Sequence, residues 1–299
     1  MRTVECVPNF SEGRDRNVVD QIVSEITKID SVKLLDVELD PNHNRSVVSY
    51  VVSYDRAVES AFAGIKKAAE LIDMTGHKGE HPRFGASDVI PFIPISETTI
   101  EDCVKLAHEL GKAVGERLSI PVFLYGSAAK LERRKNLEDI RNKSFQYEQL
   151  SSVIGDDDWK PDFGPAKVGR AGASIIGARD FLVAFNVNLN TKDINTGKKI
   201  AKALRAKDGG LAFVKALAFY LEDKQMVQIS MNLTSFRKTP IYRAFEMVKL
   251  EAKRYGIGIV ESEIVGLVPL DALVQSTEFY MQLNGFKTEQ IFEKKLWSE

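Results

Sequence analysis

The sequence predicts an α+β fold made of two ferredoxin-like (split β-α-β) subdomains. Three observations predict it. Periodic segments run in the order β-α-β-β-α-β twice along the 299 residues. In each half, two strand-like runs lie next to each other between amphipathic helices, as a hairpin set between two crossovers requires. A glycine- and proline-rich stretch, Trp159–Ala178, separates the two series. The expected subdomains are therefore residues 1–178 and 179–299.

The first half begins with the short apolar run Val4–Pro8, a buried strand, and a turn at Asn9–Gly13. Val18, Val19, Ile22, Val23 and Ile26 recur at helical spacing. Val32–Leu39 is a strand that ends at Asp40-Pro41-Asn42-His43-Asn44, and Ser46–Ser53 is its β-branched neighbour. Arg56–Asp73 is an amphipathic helix rich in Ala, Lys, Glu and Leu. Asp88–Ile95 is a strand whose Pro91 and Pro94 argue for a sheet edge. Thr99–Leu118 is a helix capped by Thr98 or Thr99, and Pro121–Tyr125 a strand. Lys130–Asp158 is a charge run expected to form short helices with a solvated face. Trp159–Ala178 is expected to lack regular structure.

The second half repeats the order. Phe181–Leu189 is a strand and Lys192–Arg205 a helix with Asp193 near its start. Ala212–Tyr220 and Gln225–Leu233 are strands, Thr239–Tyr255 a helix with Pro240 in its first turn, and Gly258–Ile264 the last strand. Pro269–Leu283 is a closing helix and Gly285–Glu299 a charged tail.

Composition narrows the function classes. With 41 basic and 42 acidic side chains, the net charge of −1 gives no general attraction to nucleic acid or anionic lipid. No run of about 18 apolar residues exists to cross a membrane. The opening MRTVECVPNF has no signal-peptide pattern, so a cytoplasmic protein is expected. Cys6 and Cys103 have no partner pattern and are expected as two buried thiols.

The chemistry concentrates in Thr75–Ile95, which holds His77, Glu80, His81, Arg83 and Asp88 between Gly79 and Gly85. His77-Lys78-Gly79-Glu80-His81 formally matches an inverted zinc-peptidase signature. That motif works only on a helix, where residues i and i+4 share a face. Gly79 and Pro82 break such a helix, because proline disfavours the α conformation at His81. No metal site is expected. Instead His81 is either a general acid–base, which imidazole suits at neutral pH, or a loop-satisfying side chain. Gly79 and Gly85 are expected to let the chain bend.

Other candidates have equally plain alternatives. Asp36, Glu38 and Asp40 alternate along one strand face, as a cation or N–H site or as a solvated strand end. Asn44 and Arg45 follow, and Arg45 can fork onto a carboxylate or make a surface ion pair. Gly164-Pro165-Ala166-Lys167-Val168-Gly169-Arg170-Ala171-Gly172 lacks the G-K-[ST] ending of a P-loop. Its backbone N–H groups can wrap a heterocycle or carboxylate, or it is a linker. Asn186, Asn188 and Asn190 face one side of a strand and need partners, which a ligand can supply.

Long motifs carry a resemblance across nearly the whole chain: ECVPNFSEG (5–13), LLDV…NR (34–45), LIDM…HKGEHPRFGASDVIPFIP (71–94), FLYG (123–126), PDFGP (161–165), GARDFLVAFNVNL (177–189) and EIVGLVPLDAL (263–273). The sequence resembles the formiminotransferase part of the formiminotransferase-cyclodeaminase family, without the cyclodeaminase domain. The resemblance implies transfer of a formimidoyl group from N-formimidoyl-L-glutamate to tetrahydrofolate, a late step of histidine degradation. It implies His81, in the H-P-R motif, as the catalytic residue and Gly164–Gly172 as the folate loop. That loop is one residue shorter than the usual form and lacks an aromatic near its end. The resemblance further implies a ligand cleft between the two subdomains and a homodimer. Tetrahydrofolate is expected as cosubstrate, with no tightly bound cofactor. Glu38, Asn44, Arg45, Arg83, Asn186 and Asn188 are expected at the substrates, with Lys167 and Arg170 as further cations. Formyl transfer, a modified pterin, or a folate carrier of the same fold are the alternatives.

Overall fold

The computed structural model describes residues 1–142 and 144–297, in two compact units, Met1–Asp180 and Phe181–Glu299. The first unit opens with β1 (Thr3–Cys6) and β2 (Asn9–Phe10), which both pair with the same two neighbours and so form one strand interrupted at Val7-Pro8. There follow α1 (Arg16–Thr27), β3 (Lys33–Asp40), β4 (Arg45–Ser53), α2 (Ala57–Leu71) and β5 (Ser87–Ser96). The sheet order over this part is β3, β4, β1/β2, β5, all antiparallel, which is the split β-α-β arrangement. The unit then extends the sheet through α3 (Ile100–Leu118), β6 (Val122–Gly126), the short helices α4 (Leu137–Ile140) and α5 (Tyr147–Val153), and β7 (Ser174–Ala178). β7 inserts between β5 and β6, parallel to both.

Alternation along the strands gives the sheet two faces. Val4, Cys6, Phe10, Val48, Tyr50, Val52, Ile90, Phe92 and Leu124 pack with α1, α2 and α3 in the main core. Both thiols are buried and free. On the opposite face, Val89, Phe123, Tyr125 and Ile175 meet Phe84, Ile140, Leu150, Ile154 and Trp159 in a smaller cluster under α4 and α5. The rest of that face carries the polar side chains considered below.

The second unit repeats the pattern with β8 (Val183–Leu189), α6 (Ile194–Leu204), β9 (Val214–Leu221), β10 (Met226–Leu233), α7 (Ile241–Lys253) and β11 (Ile259–Val265). Its sheet order is β11, β8, β10, β9, antiparallel throughout. Asp193 caps α6 through the Asn195 N–H, and α8 (Leu270–Met281) and α9 (Phe292–Trp297) close the chain. No helix among the described residues is long and apolar enough to cross a membrane.

Three expectations are corrected. β5 is an interior strand despite its prolines. Pro91 O accepts from Val7 N, so the missing Pro91 N–H faces the interruption between β1 and β2. Pro94 lies beyond the last β5–β7 pair, Phe92 with Ala178, so its missing donor meets no strand there. Second, Trp159–Ala178 ends in β7, whose five residues are all buried. Third, the charge run is no simple solvated face. Arg134 and Arg141 are buried, paired to Asp162 at 2.7 Å and Asp88 at 2.6 Å.

Candidate active site

The stretch between α2 and β5 carries no helix, so His77 and His81 are not presented side by side as a metallopeptidase needs. Its shape is set by close backbone approaches. Gly79 and Gly85 do not adopt left-handed backbone; a Cβ on Gly79 would lie 2.2 Å from His43 O, and one on Gly85 would lie 2.3 Å from Ala173 O. These glycines therefore serve contact with neighbouring chain segments, not the bending expected of them.

Both ring nitrogens of each histidine are engaged. His77 Nε2 donates to Asn44 O at 3.1 Å and Nδ1 accepts from Arg83 Nε at 3.0 Å. His81 Nδ1 donates to Pro82 O at 2.7 Å, which leaves the Nε2 lone pair to accept from Arg45 Nη1 at 2.5 Å. An arginine only donates, so this pattern fixes His81 as neutral with its proton on Nδ1. Burial, then the Arg45 and Arg141 charges, pull the His81 pKa down to about 3. Burial also lowers that of His77.

Arg45 lies at the head of β4, paired with Asp40 on β3. Its Nη2 donates to Asn9 Oδ1, while its buried Nε has no partner among the described residues. Asn44, left-handed at φ 49, receives Gly13 N on its Oδ1 and donates to Lys78 O, so it ties the β3–β4 turn to the histidine loop. Arg83 is buried and its five N–H donors are occupied: by His77 Nδ1, His77 O, Gln146 Oε1 and both oxygens of Glu148. It holds the loop against α5. Asp88 accepts from Phe84 N and pairs with Arg141. These groups line a cavity of about 10 Å³.

The structure brings the glycine loop to the same place. Met74 N donates to Arg170 O, Ala86 N to Ala171 O, and Ala173 N to Phe84 O. Gly172 (φ +72) fits against Phe84 O, where a Cβ would lie 2.2 Å away. Gly164, Pro165, Ala166, Lys167, Gly169 and Arg170 are exposed, and Arg170 pairs with Asp73 at 3.2 Å. Glu38 is exposed on β3, its carboxyl raised by partial desolvation and by Asp36.

Asn186 and Asn188 belong to the second unit, sharing a face of β8 as alternation requires. They donate to Glu263 and Glu261 at 2.9 and 2.8 Å, and Gln228 bridges Asn188 and Glu263.

Four contributors escaped the sequence reading. Asn9 read only as a turn residue. His43 sits 6.0 Å from His81, edge to face, with Nδ1 at 2.5 Å from Asp40 Oδ2. Arg141 and Glu148 come from the charge run. Asn9, Arg141 and Glu148 reach the histidines from distant parts of the chain, and His43 lies in the turn just before Arg45 with no pattern that sets it apart.

Comparison with known proteins completes the description. Residues 3–179 match the formiminotransferase domain, N-terminal subdomain, and residues 184–295 match the formiminotransferase domain. A glutamate formimidoyltransferase of Thermoplasma acidophilum is 64% identical, covering 99% of this chain and 98% of that protein. One from Streptococcus pyogenes serotype M1 is 43% identical over 99% of each. A formimidoyltransferase-cyclodeaminase of Mus musculus is 43% identical over 93% of this chain and 52% of its own length.

Proposed function

The chain belongs to the formiminotransferase family, and from that premise we propose that it transfers a formimidoyl group from N-formimidoyl-L-glutamate to N5 of tetrahydrofolate. The products are 5-formimidoyltetrahydrofolate and L-glutamate, and the step belongs to histidine degradation. The observation that carries the mechanism is the His81 tautomer: Nδ1 is held by Pro82 O and the Nε2 lone pair faces the site.

N5 of the pterin attacks the formimidoyl carbon and forms a tetrahedral intermediate. His81 Nε2 takes the N5 proton, then delivers it to the glutamate nitrogen as the carbon–nitrogen bond breaks. In the resting site Arg45 occupies that lone pair. The donor's carboxylates draw the Arg45 guanidinium away, with its unpartnered Nε as a ready N–H. Losing that contact frees the base and raises its pKa, so substrate arrival activates it. Glu38 accepts a formimidoyl N–H. Arg83 and Asn44 hold the loop that carries His81, and Gly164–Gly172 receives the folate tail, with Lys167 and Arg170 for its carboxylates. Holding both substrates in attack geometry contributes alongside the proton transfers.

The setting is a cytoplasmic homodimer; self-association is supported by the side chains α8 leaves exposed, Leu270, Leu273, Phe279 and Met281. The test is His81→Ala, assayed with tetrahydrofolate and with formimidoyl- and formylglutamate side by side. Turnover is expected to fall about 10²–10⁴-fold, and the wild type is expected to prefer the formimidoyl donor. A variant as fast as the wild type would remove His81 from the mechanism, and a formyl preference would change the donor.

A further inference from the structure

We infer that Glu5, with Arg179 and Tyr125 beside it, is a subsite for the pyrimidine edge of the pterin, its two carboxylate oxygens accepting from the N3–H and 2-amino groups of tetrahydrofolate. The inference rests on the function proposed above and adds the residue that recognises the far end of the acceptor.

Glu5 sits in the middle of β1, paired with Val51 of β4 on one side and Ile93 of β5 on the other. Its neighbours Val4 and Cys6 belong to the helix-side core. Alternation therefore points Glu5 to the opposite face, the face of Arg45 and Asn9. A carboxylate has no packing purpose there. The residue is 3% exposed and no described residue donates a hydrogen bond to it. Its charge neighbour is Arg179, just past β7, and burial outweighs that charge, pushing the carboxyl up to about 7. The Arg179 charge also acts on the buried Tyr125. A carboxyl this deeply buried is costly to ionise, and the cost is relieved by a ligand that brings N–H groups.

The position along the sheet says which ligand edge. Three stations follow one another down β5. Glu5 lies opposite Ile93, Asn9 with Arg45 and His81 lies opposite Val89, and the glycine loop meets the chain at Gly85 and Ala86. Tetrahydrofolate has the same order: pyrimidine edge, N5, then the aminobenzoyl-glutamate tail. Four residues of strand separate Glu5 from Asn9 by about 13 Å. A fused two-ring heterocycle with a hydrogen bond of about 3 Å at each end covers a distance of that order. The donor also has an N–H-rich edge, its formimidoyl amidine. That group must lie within bonding reach of N5, at the His81 station, and so cannot lie at Glu5. The polarity matches as well: a carboxylate for two N–H groups, beside a guanidinium and a phenol that can donate to the 4-oxo group.

Glu5→Gln keeps the shape but turns an N–H₂ toward the ligand's own donors. The variant is expected to raise KM for tetrahydrofolate at least 10-fold, with kcat and KM for formimidoylglutamate within about 2-fold of the wild type. Calorimetric titration with tetrahydrofolate alone should show the same loss of affinity without any turnover. The wild type should also prefer tetrahydrofolate to its 2-deamino-2-methyl analogue, and Glu5→Gln should not. An unchanged KM for tetrahydrofolate, a change confined to the donor's KM, or a wild type indifferent to the 2-amino group overturns the inference. Wild type that binds tetrahydrofolate through Glu5 but transfers nothing would leave the subsite standing and refute the transferase reading. Wild type that binds no tetrahydrofolate refutes both.

Discussion

The His81–Arg45 contact decides how the site behaves at the residue scale. Burial is the larger pull on the imidazole, and the guanidinium on its lone pair lowers its pKa further, to about 3. Burial lowers the His81 pKa most and Arg45 next, so removing the arginine relieves only the second cause. Arg45→Met should therefore raise the His81 pKa and move the acid limb of the kcat/KM profile to higher pH. Activity near pH 5 would then fall more steeply than activity near pH 8. The KM for formimidoylglutamate should also rise, since the cation that receives its carboxylate is gone. A pH–rate profile of the variant superimposable on that of the wild type would show that Arg45 does not set the base. Arg83 differs from Arg45 although both are loop arginines beside a histidine. Its donors are all occupied within the chain, so truncating it should loosen the loop instead of removing a ligand contact.

The loop between α2 and β5 offers a controlled comparison at the element scale. Gly76 and Gly79 are three residues apart. A Cβ on Gly76 meets nothing within 4 Å, whereas one on Gly79 meets His43 O at 2.2 Å and Asn44 Cβ at 3.0 Å. Gly79→Ala should destabilise by about 1–3 kcal/mol, the range for forced overpacking, and should lower turnover by displacing the His77–Asn44 tie. Gly76→Ala should leave the denaturation midpoint and turnover unchanged. Equal behaviour of the two variants would show that the backbone approach at Gly79 is not needed. The elements themselves were largely legible, because β-branched runs and 3.6-residue periodicity report one buried face each. Legibility failed where pairing partners overrule local chemistry. Pro91 and Pro94 suggested an edge, but their missing donors fall opposite the Val7-Pro8 interruption and past the end of β7. β7 was hidden because its SIIGA is short and follows a glycine loop. Within the site, the H-P-R motif marked His81, yet Asn9, Glu148 and Arg141 act through contacts that no local pattern encodes.

Opposing titrations on one sheet face govern stability at the scale of the whole molecule. His81 has a folded pKa of about 3 against an ordinary 6.5. Between these values the unfolded chain binds more protons, so stability falls as pH falls. His77 acts in the same direction. Glu5 has a folded pKa of about 7 against an ordinary 4.5. Between those values the folded chain binds more protons, so stability rises as pH falls. Each group contributes a slope of about 1.4 kcal/mol per pH unit, and the slopes of His81 and Glu5 oppose each other from 4.5 to 6.5. Chemical denaturation of three variants and the wild type across that window separates them. Relative to the wild type, Glu5→Gln should lose stability progressively as the pH is lowered. His81→Asn should gain it over the same interval, and the double variant should return toward the wild-type pH dependence. Parallel curves for all three would mean that neither group is held away from its ordinary pKa by the fold. The cancellation matters for function, because it lets the face keep a neutral base at one station and a buried carboxyl at another without a steep change in stability between pH 4.5 and 6.5.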